Sequence, residues 1–297
     1  MATNPLNVGS DGMGSWIYDI TDPLLKRTFP NTTITHDATK PADLVIRSHF
    51  RSQENVAPYT CPYITWSGES FRVQPKTEYP PILEINTAHH AGVENSLYMP
   101  HIIAEIPHTR RPTQPLSAET KRWCTAFAFS NRIKEREELF IQMRVKEPTC
   151  YAFGRSCATP DNPFQLGASD RNKNGERFGE FGFVNAMENK IAPGYLTEKI
   201  GYAFAAGAVP IYLGDTATVD DIFNPAAFLN VANYASPRAA GLAAVEIWKD
   251  RQKLQKYLDA PITVNSRLAD FEAVRTEYRP WQKPFVDVLR ETFPDLN

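Results

Sequence analysis

The chain has 297 residues, of which 42% are hydrophobic, and its 32 basic and 34 acidic side chains give a net charge of −2. This length allows two domains or one large domain. The charge balance argues against a nucleic acid as the main partner, because proteins that follow phosphate backbones carry a strong basic excess. No stretch reaches the roughly 18 apolar residues of a membrane span, and the polar N-terminus lacks a signal-peptide pattern. We therefore predict a cytoplasmic protein without a transmembrane segment. Its oligomeric state stays open.

The first third of the chain alternates between two hydrophobic patterns. Short apolar runs at 43–46, 63–66 and 81–85 predict buried strands, and residues 16–29 have helical spacing. Strands that alternate with helices indicate a parallel sheet with right-handed crossovers. The sequence thus predicts an α/β fold.

A basic, proline-rich stretch at 109–115 interrupts this alternation and predicts a linker. Beyond it, we predict a strand at 123–129, a charged helix at 133–144 and a polar loop at 160–177. The resulting domain prediction is 1–112, 113–275 and a C-terminal helical segment at 276–297, which would cross back to the first domain.

The segment 194–215 has the clearest pattern in the chain. Thr197 is a good N-cap for a helix that runs through Ala206, Gly207 supplies a left-handed C-terminal position, and a buried strand follows at 209–213. The N-terminus of a helix offers free N–H groups and a positive dipole end, to which Lys199 adds a full charge, so this turn is suited to phosphate. Alternatively, Lys199 is an ordinary solvated residue of the first turn.

Several motifs resemble the α-1,3/4-fucosyltransferase family. The most specific are Glu188-Asn189 followed by Gly194-Tyr195-Leu196-Thr197-Glu198-Lys199 and then Ala206-Gly207-Ala208-Val209-Pro210-Ile211. Ser130-Asn131 and Arg136-Glu137-Glu138-Leu139-Phe140 also resemble a family element, and Ser67-Gly68-Glu69 is a weaker match. The likeness is strong over 123–231 and patchy before that.

This resemblance implies a GT-B type fold, in which two Rossmann-like domains face each other across a cleft. Residues 1–112 would bind the glycan acceptor, and residues 113–275 would bind the nucleotide sugar, GDP-fucose. Asp-x-Asp, the metal motif of the other common transferase architecture, does not occur in the sequence. We therefore expect that no cofactor is required and that no divalent metal is essential.

The resemblance also implies residue roles in the second domain. Arg136 and Lys199 would stabilise the charge that develops on the departing β-phosphate, with the helix start at Thr197 behind them. Asn189 and Tyr195 would flank the diphosphate or the ribose.

Two carboxylates complete the implied site. Glu198 would hydrogen-bond hydroxyls of the donor, and Glu69 would act as the general base that takes the proton of the acceptor hydroxyl. The family inverts the anomeric carbon in a single step, so that no covalent nucleophile is needed.

Each of these residues also has an ordinary structural interpretation. Glu198 is a favourable acid in a first helical turn, Arg136 fits a surface ion pair, and Glu69 fits an exposed turn. Two other functions are open on the sequence alone: an inverting transferase with another donor such as UDP-xylose, and a non-catalytic carbohydrate-binding protein on the same fold.

Overall fold

The structure, a computed structural model, describes residues 5–53, 60–72, 80–105, 109–129, 131–153, 159, 178–263, 267–273 and 276–296. Its contacts divide the chain into two compact units. Unit 1 comprises Met1–Ala104, Ala192–Tyr195 and Ala269–Asn297, and unit 2 comprises Glu105–Ile191 and Leu196–Leu268. The predicted loop at 160–177 lies outside the described residues, and the predicted domain roles stay predictions.

Unit 1 contains a parallel sheet of six strands in the order β2-β1-β3-β4-β5-β6. Its strands are β1 (Leu6–Asp11), β2 (Ile34–Thr35), β3 (Leu44–Ser48), β4 (Tyr63–Ser67), β5 (Leu83–Asn86) and β6 (Ser96–Tyr98). The described helices of its first segment are α1 (Tyr18–Thr28) and α2 (Ile102–Glu105), whose last residue already belongs to unit 2. Every residue of β3, β4 and β5 is buried, as expected for a parallel sheet that is covered on both faces.

Unit 2 contains a second parallel sheet, in the order β11-β10-β9-β7-β8. Its strands are β7 (Trp123–Phe127), β8 (Cys150–Ala152), β9 (Phe181–Asn185), β10 (Val209–Tyr212) and β11 (Leu229–Asn230). Its helices are α3 (Lys134–Lys146), α4 (Glu198–Ala205), α5 (Thr216–Ile222), α6 (Pro237–Lys249) and α7 (Arg251–Asp259). The core of this unit lies between the sheet and the helices, and α3 packs on α6.

A glycine permits the close packing of these two helices. A Cβ atom at Gly241 of α6 would lie 3.1 Å from the carbonyl oxygen of Leu139 in α3. Alanine at this position would require the two helix backbones to shift by a few tenths of an ångström.

The chain returns to unit 1 through α8 (Arg267–Glu272) and ends with α9 (Lys283–Thr292). Helix α9 begins after a short 3-10 turn at Pro280–Gln282. Its buried residues are Phe285 and Leu289, which are four positions apart and lie on one face of the helix.

The structure confirms most predicted elements with small boundary shifts. The predicted helices at 16–29 and 133–144 correspond to α1 and α3, and Gly207 has the expected positive φ of 68°. Strand β1 was not predicted, because its sequence Leu-Asn-Val-Gly-Ser-Asp contains only two strongly apolar residues. Among the described residues, no helix is both long and apolar enough to cross a membrane.

Candidate functional site

Both sheets have the same strand topology, and this topology places a crevice beside the first strand. In each unit, the first strand in the chain lies between the second and the third, so the direction of strand addition reverses beside the first strand. Ligands of open α/β sheets bind at this switch point, beyond the carboxyl ends of the strands. In unit 2 the switch point lies between β7 and β9, and in unit 1 between β1 and β3.

Arg136 lies at the switch point of unit 2. It is carried by the first turn of α3, the helix after β7, and only 2% of its surface is exposed. Its Nη2 donates to the carbonyl oxygen of Met187 and, at 3.0 Å, to Oδ1 of Asn189. The guanidinium carbon also lies 5.6 Å from the centre of the Phe129 ring. These contacts fix Arg136 against the segment that follows β9.

Glu188 is the centre of a second cluster in the same segment. Its side chain is fully buried. The backbone N–H of Thr197 donates to Glu188 Oε1 at 2.8 Å, and the Thr197 hydroxyl lies 2.9 and 2.8 Å from the two carboxylate oxygens. Lys199 Nζ donates to Glu188 Oε2 at 2.9 Å and to Thr197 Oγ1 at 2.7 Å. A buried carboxylate with this many donors is well compensated.

This geometry corrects the predicted role of Thr197. Helix α4 does begin after Thr197, but the Thr197 side chain forms no cap hydrogen bond with the helix. Its hydroxyl donates to Glu188, and its oxygen accepts from the Lys199 ammonium group instead of from a backbone N–H of the helix. The N–H of Thr197 is bound to the same carboxylate, so Glu188 occupies the anion position before this helix.

The charge of Lys199 is thus partly balanced in the unliganded site. Besides Glu188, the Glu198 carboxylate lies 3.9 Å from Lys199 Nζ, and 24% of the Lys199 side chain remains exposed. Within unit 2 the structure thus pairs Arg136 with Asn189 and groups Lys199 with Thr197 and Glu198, and the adjacent residues Glu188 and Asn189 connect the two sets.

Tyr195 and Glu69 belong to unit 1. The short segment around Tyr195 is held there by the backbone N–H of His89, which donates to the Pro193 carbonyl at 2.8 Å, and by the Tyr98 hydroxyl, which donates to the Gly194 carbonyl at 2.8 Å. Gly194 has a φ of 79°, and a Cβ there would lie 2.6 Å from His89, so glycine is required.

Glu69 lies in the turn after β4. The carbonyl oxygen of Glu69 accepts from the Thr87 hydroxyl at 3.2 Å, and the N–H of Glu69 donates to Ser67 Oγ at 3.3 Å. These bonds fix the backbone from which the carboxylate projects. The role of Glu69 as a base stays a prediction.

The sequence reasoning quoted Glu188 only as part of a motif and gave it no role. The available signal was an acidic residue directly after the mostly apolar segment 181–187, where a buried carboxylate would need a partner. Within the described ranges, no group of three or more His, Cys, Asp or Glu side chains could hold a metal ion.

Comparison with known proteins assigns this chain to a family. Residues 116–277 match the model of the C-terminal part of glycosyltransferase family 10 (fucosyltransferase). The chain belongs to this family, and the predicted resemblance is confirmed.

Individual relatives agree with this assignment. The 4-galactosyl-N-acetylglucosaminide 3-alpha-L-fucosyltransferase FUT6 of Pongo pygmaeus is 28% identical over 160 residues, which are 51% of this chain and 41% of that protein. An alpha-(1,3)-fucosyltransferase, FucT, of Helicobacter pylori is 39% identical over 69 residues, 23% of this chain and 14% of the relative. The match to the first relative thus spans about two fifths of that protein's length.

The fold has a counterpart among solved structures. An alpha1,3-fucosyltransferase crystallised with GDP-fucose superposes with a TM-score of 0.59 at 16% identity, over 95% of this chain and 93% of that one. This likeness and the two parallel-sheet α/β units confirm the predicted GT-B fold class.

Proposed function

We propose that this protein is an inverting fucosyltransferase that moves L-fucose from GDP-fucose to a hydroxyl group of a glycan. Family membership and the relatives named above support this reaction. The observation that carries the proposal is the pair of fixed cations, Arg136 and Lys199, at the switch point of the family-matched unit. A nucleotide diphosphate is the ligand class that such a crevice receives in doubly wound sheets.

The two cations could stabilise the negative charge that develops in the reaction. Cleavage between C1 of fucose and the diphosphate leaves negative charge on the β-phosphate, and donors that are already oriented towards it lower the barrier. Arg136 is oriented by the Met187 carbonyl and Asn189, and Lys199 by Glu188 and Thr197.

The remaining assignments follow the family motifs. Asn189 and Tyr195 would contact the diphosphate or the ribose, and Glu198 would bind donor hydroxyls. Glu69 of unit 1 would accept the proton of the attacking glycan hydroxyl, and its turn is already fixed by Ser67 and Thr87. With two side-chain cations proposed for the leaving group, we expect that no divalent metal is essential.

The first test removes the charge of Lys199 without leaving its partner uncompensated. In Glu188→Gln/Lys199→Met, both members of the buried pair become neutral. We expect the rate of fucose release from GDP-fucose to fall by about 10²–10³-fold, the usual cost of losing one group that stabilises the transition state. The matched control is Lys190→Met, which removes an exposed lysine of the same loop and should leave the rate within twofold. An unchanged rate in the double variant would contradict the assignment.

The same wild-type protein is used to test which nucleotide sugar is the donor and whether the protein is an enzyme or a non-catalytic binding protein. GDP-fucose, UDP-xylose, GDP and UDP are compared for the rise in melting temperature that they cause, since a ligand that binds only the folded state stabilises it. We expect GDP and GDP-fucose to stabilise the protein most. Stabilisation by UDP-xylose alone would favour the other donor, and binding without any turnover would favour a non-catalytic binding protein.

A further inference from the structure

The segment Ala192–Tyr195 is a tight turn that belongs to unit 1, although the residues before and after it belong to unit 2. The N–H of Tyr195 donates to the carbonyl of Ala192 at 3.0 Å, and Gly194, the third residue of the turn, has a φ of 79°. With Pro193 at the second position, this is a type II turn, whose third position requires a positive φ. The proline and the glycine thus determine the local shape of the turn.

Two donors of unit 1 hold the two central carbonyls of this turn. The backbone N–H of His89 donates to the Pro193 carbonyl, and the Tyr98 hydroxyl donates to the Gly194 carbonyl, each at 2.8 Å. His89 follows β5 and Tyr98 ends β6, so that both donors come from neighbouring strands of the sheet. Gly194 is buried, and the loss of a hydrogen bond to a buried carbonyl is costly.

The side chains of the same two residues pack against the turn. The centres of the His89 and Tyr98 rings are 3.8 Å apart. A Cβ atom at Gly194 would lie 2.6 Å from Cδ2 of His89 and 2.8 Å from Cε2 of Tyr98. The two rings therefore leave room only for a glycine, and they define where the turn lies in unit 1. We refer to His89 and Tyr98 as the turn anchor.

The turn leads directly into the motif that is proposed to bind the donor. Its last residue, Tyr195, is the proposed contact of the diphosphate or the ribose. Two residues further on, the N–H of Thr197 is bonded to Glu188 in unit 2. Since two residues of extended chain span at most about 7 Å, a shift of the turn would displace Tyr195 and pull on Thr197. The turn anchor is thus connected to the donor motif through the chain itself.

We propose that Tyr98 and His89 are positioning residues for donor binding, because they hold the turn in the conformation that is competent to bind the nucleotide diphosphate. The inference rests on the proposed transferase function, and it adds two residues of unit 1 to those that determine donor affinity. Its physical basis is a population effect. When part of the molecules have a released turn, the apparent Kd is the intrinsic Kd divided by the competent fraction.

The first test removes only the hydroxyl group of the turn anchor. Tyr98→Phe should raise the Kd for GDP, measured by titration calorimetry, about fivefold, which corresponds to one hydrogen bond. In the release of fucose from GDP-fucose, KM should rise by a similar factor while kcat stays within twofold, because saturating donor restores the competent turn. A residue that only stabilises the fold would change neither value while the protein is folded.

The matched control is Tyr18→Phe. Tyr18 is another partly buried tyrosine of unit 1 whose ring stacks on a histidine, His36, with ring centres 3.7 Å apart, but it is not part of the turn anchor. The loss of the same hydroxyl group at this position should leave the Kd for GDP within twofold of the wild type. Cooperative urea unfolding verifies that each variant is folded.

A second variant, Gly194→Ala, acts on the same turn through its backbone. The added Cβ atom clashes with both rings and disfavours the positive φ, so this change should raise the Kd for GDP at least about tenfold. Once the turn is released in this way, the Tyr98 hydroxyl no longer holds it. Tyr98→Phe added to Gly194→Ala should therefore change the Kd by less than twofold, whereas independent effects would multiply.

The inference is overturned if Tyr98→Phe binds GDP as tightly as Tyr18→Phe does, or if the effects of Tyr98→Phe and Gly194→Ala multiply. A fall in kcat at unchanged KM would also overturn it, because Tyr98 would then act on the chemical step. In all these cases GDP still binds to the wild type and the transferase function is unaffected. If the wild type binds neither GDP nor GDP-fucose, the donor assignment itself is wrong and both proposals fall.

Discussion

At the scale of single residues, the ion pair of Glu188 and Lys199 gives one lysine two roles. Lys199 stabilises the folded protein, and it is also the cation proposed for the leaving group. The Glu188 side chain is fully buried, and Lys199 is a cationic hydrogen-bond donor to its carboxylate. Removal of one partner of a buried pair leaves an uncompensated charge and costs more than removal of both. The lysine that would stabilise the leaving group is therefore also needed to keep the carboxylate buried.

This coupling predicts an ordered series of stabilities. Lys199→Met should lower the free energy of unfolding by about 2–4 kcal/mol, somewhat below the full cost of breaking a buried pair because Lys199 is a quarter exposed. Glu188→Gln added to that variant should recover at least about 1 kcal/mol. Urea unfolding of the single and double variants measures both values. A double variant that is less stable than Lys199→Met would show that the Glu188 charge is compensated without Lys199.

At the scale of elements, the predicted linker at 109–115 has a structural role that its sequence does not indicate. Nη1 of Arg111 donates to the carbonyls of Leu258 and Ala260 at 2.7 and 2.5 Å, and its Nη2 donates to that of Tyr257 at 3.0 Å. These carbonyls lie at or just beyond the C-terminus of α7, where backbone acceptors have no partner within the helix and the dipole favours a cation.

We therefore expect Arg111→Ala to destabilise unit 2 by about 2–3 kcal/mol, since three buried or half-buried carbonyls lose a charged donor. Arg111→Lys should recover only part of this loss, because one ammonium group cannot reproduce the planar fork of a guanidinium. Arg110→Ala, which changes the exposed neighbour, should remain within about 0.5 kcal/mol of the wild type. Equal losses in Arg110→Ala and Arg111→Ala would show that the effect is not specific to the helix end. The measurement is urea unfolding.

The elements that could be predicted from the sequence are those in which several signals lie close together in the chain. The strand at 209–213 and the helix before it have apolar spacing, a terminal glycine and a well-placed N-cap position, and the structure contains both. Strand β1 and the contacts of Arg111 depend on partners far along the chain, which periodicity cannot reveal. The same holds for the site, where motif residues were identified but the burial of Glu188 was not.

At the scale of the whole molecule, unit 2 places the proposed donor site and a stabilising contact at opposite ends of its strands. Arg136 and Lys199 lie beyond the carboxyl ends of the strands, whereas Lys121 ties the amino ends together. The Nζ of Lys121 donates to the carbonyls of Gly179 and Gly207 at 2.6 and 2.7 Å, and these residues lie just before β9 and β10, as Lys121 lies before β7. A single buried ammonium thus joins three adjacent strands of one sheet.

Because of this buried lysine, the free energy of unfolding varies with pH in the alkaline range. Burial, with a smaller contribution from Arg111, lowers the pKa of Lys121 from 10.5 to about 8. Between these values the unfolded chain binds a proton that the folded chain does not, so stability rises with pH, and a neutral amine can still donate to both carbonyls. From pH 7.5 to 9.5, the wild type should gain about 2 kcal/mol in unfolding free energy relative to Lys121→Met. At each pH, the unfolding free energy of Lys121→Met is subtracted from that of the wild type. This removes the contribution of every titrating group that the substitution does not affect. A difference that stays constant or falls as the pH rises would mean that Lys121 keeps its ordinary pKa or a higher one, and that the ammonium form itself is what joins the strands.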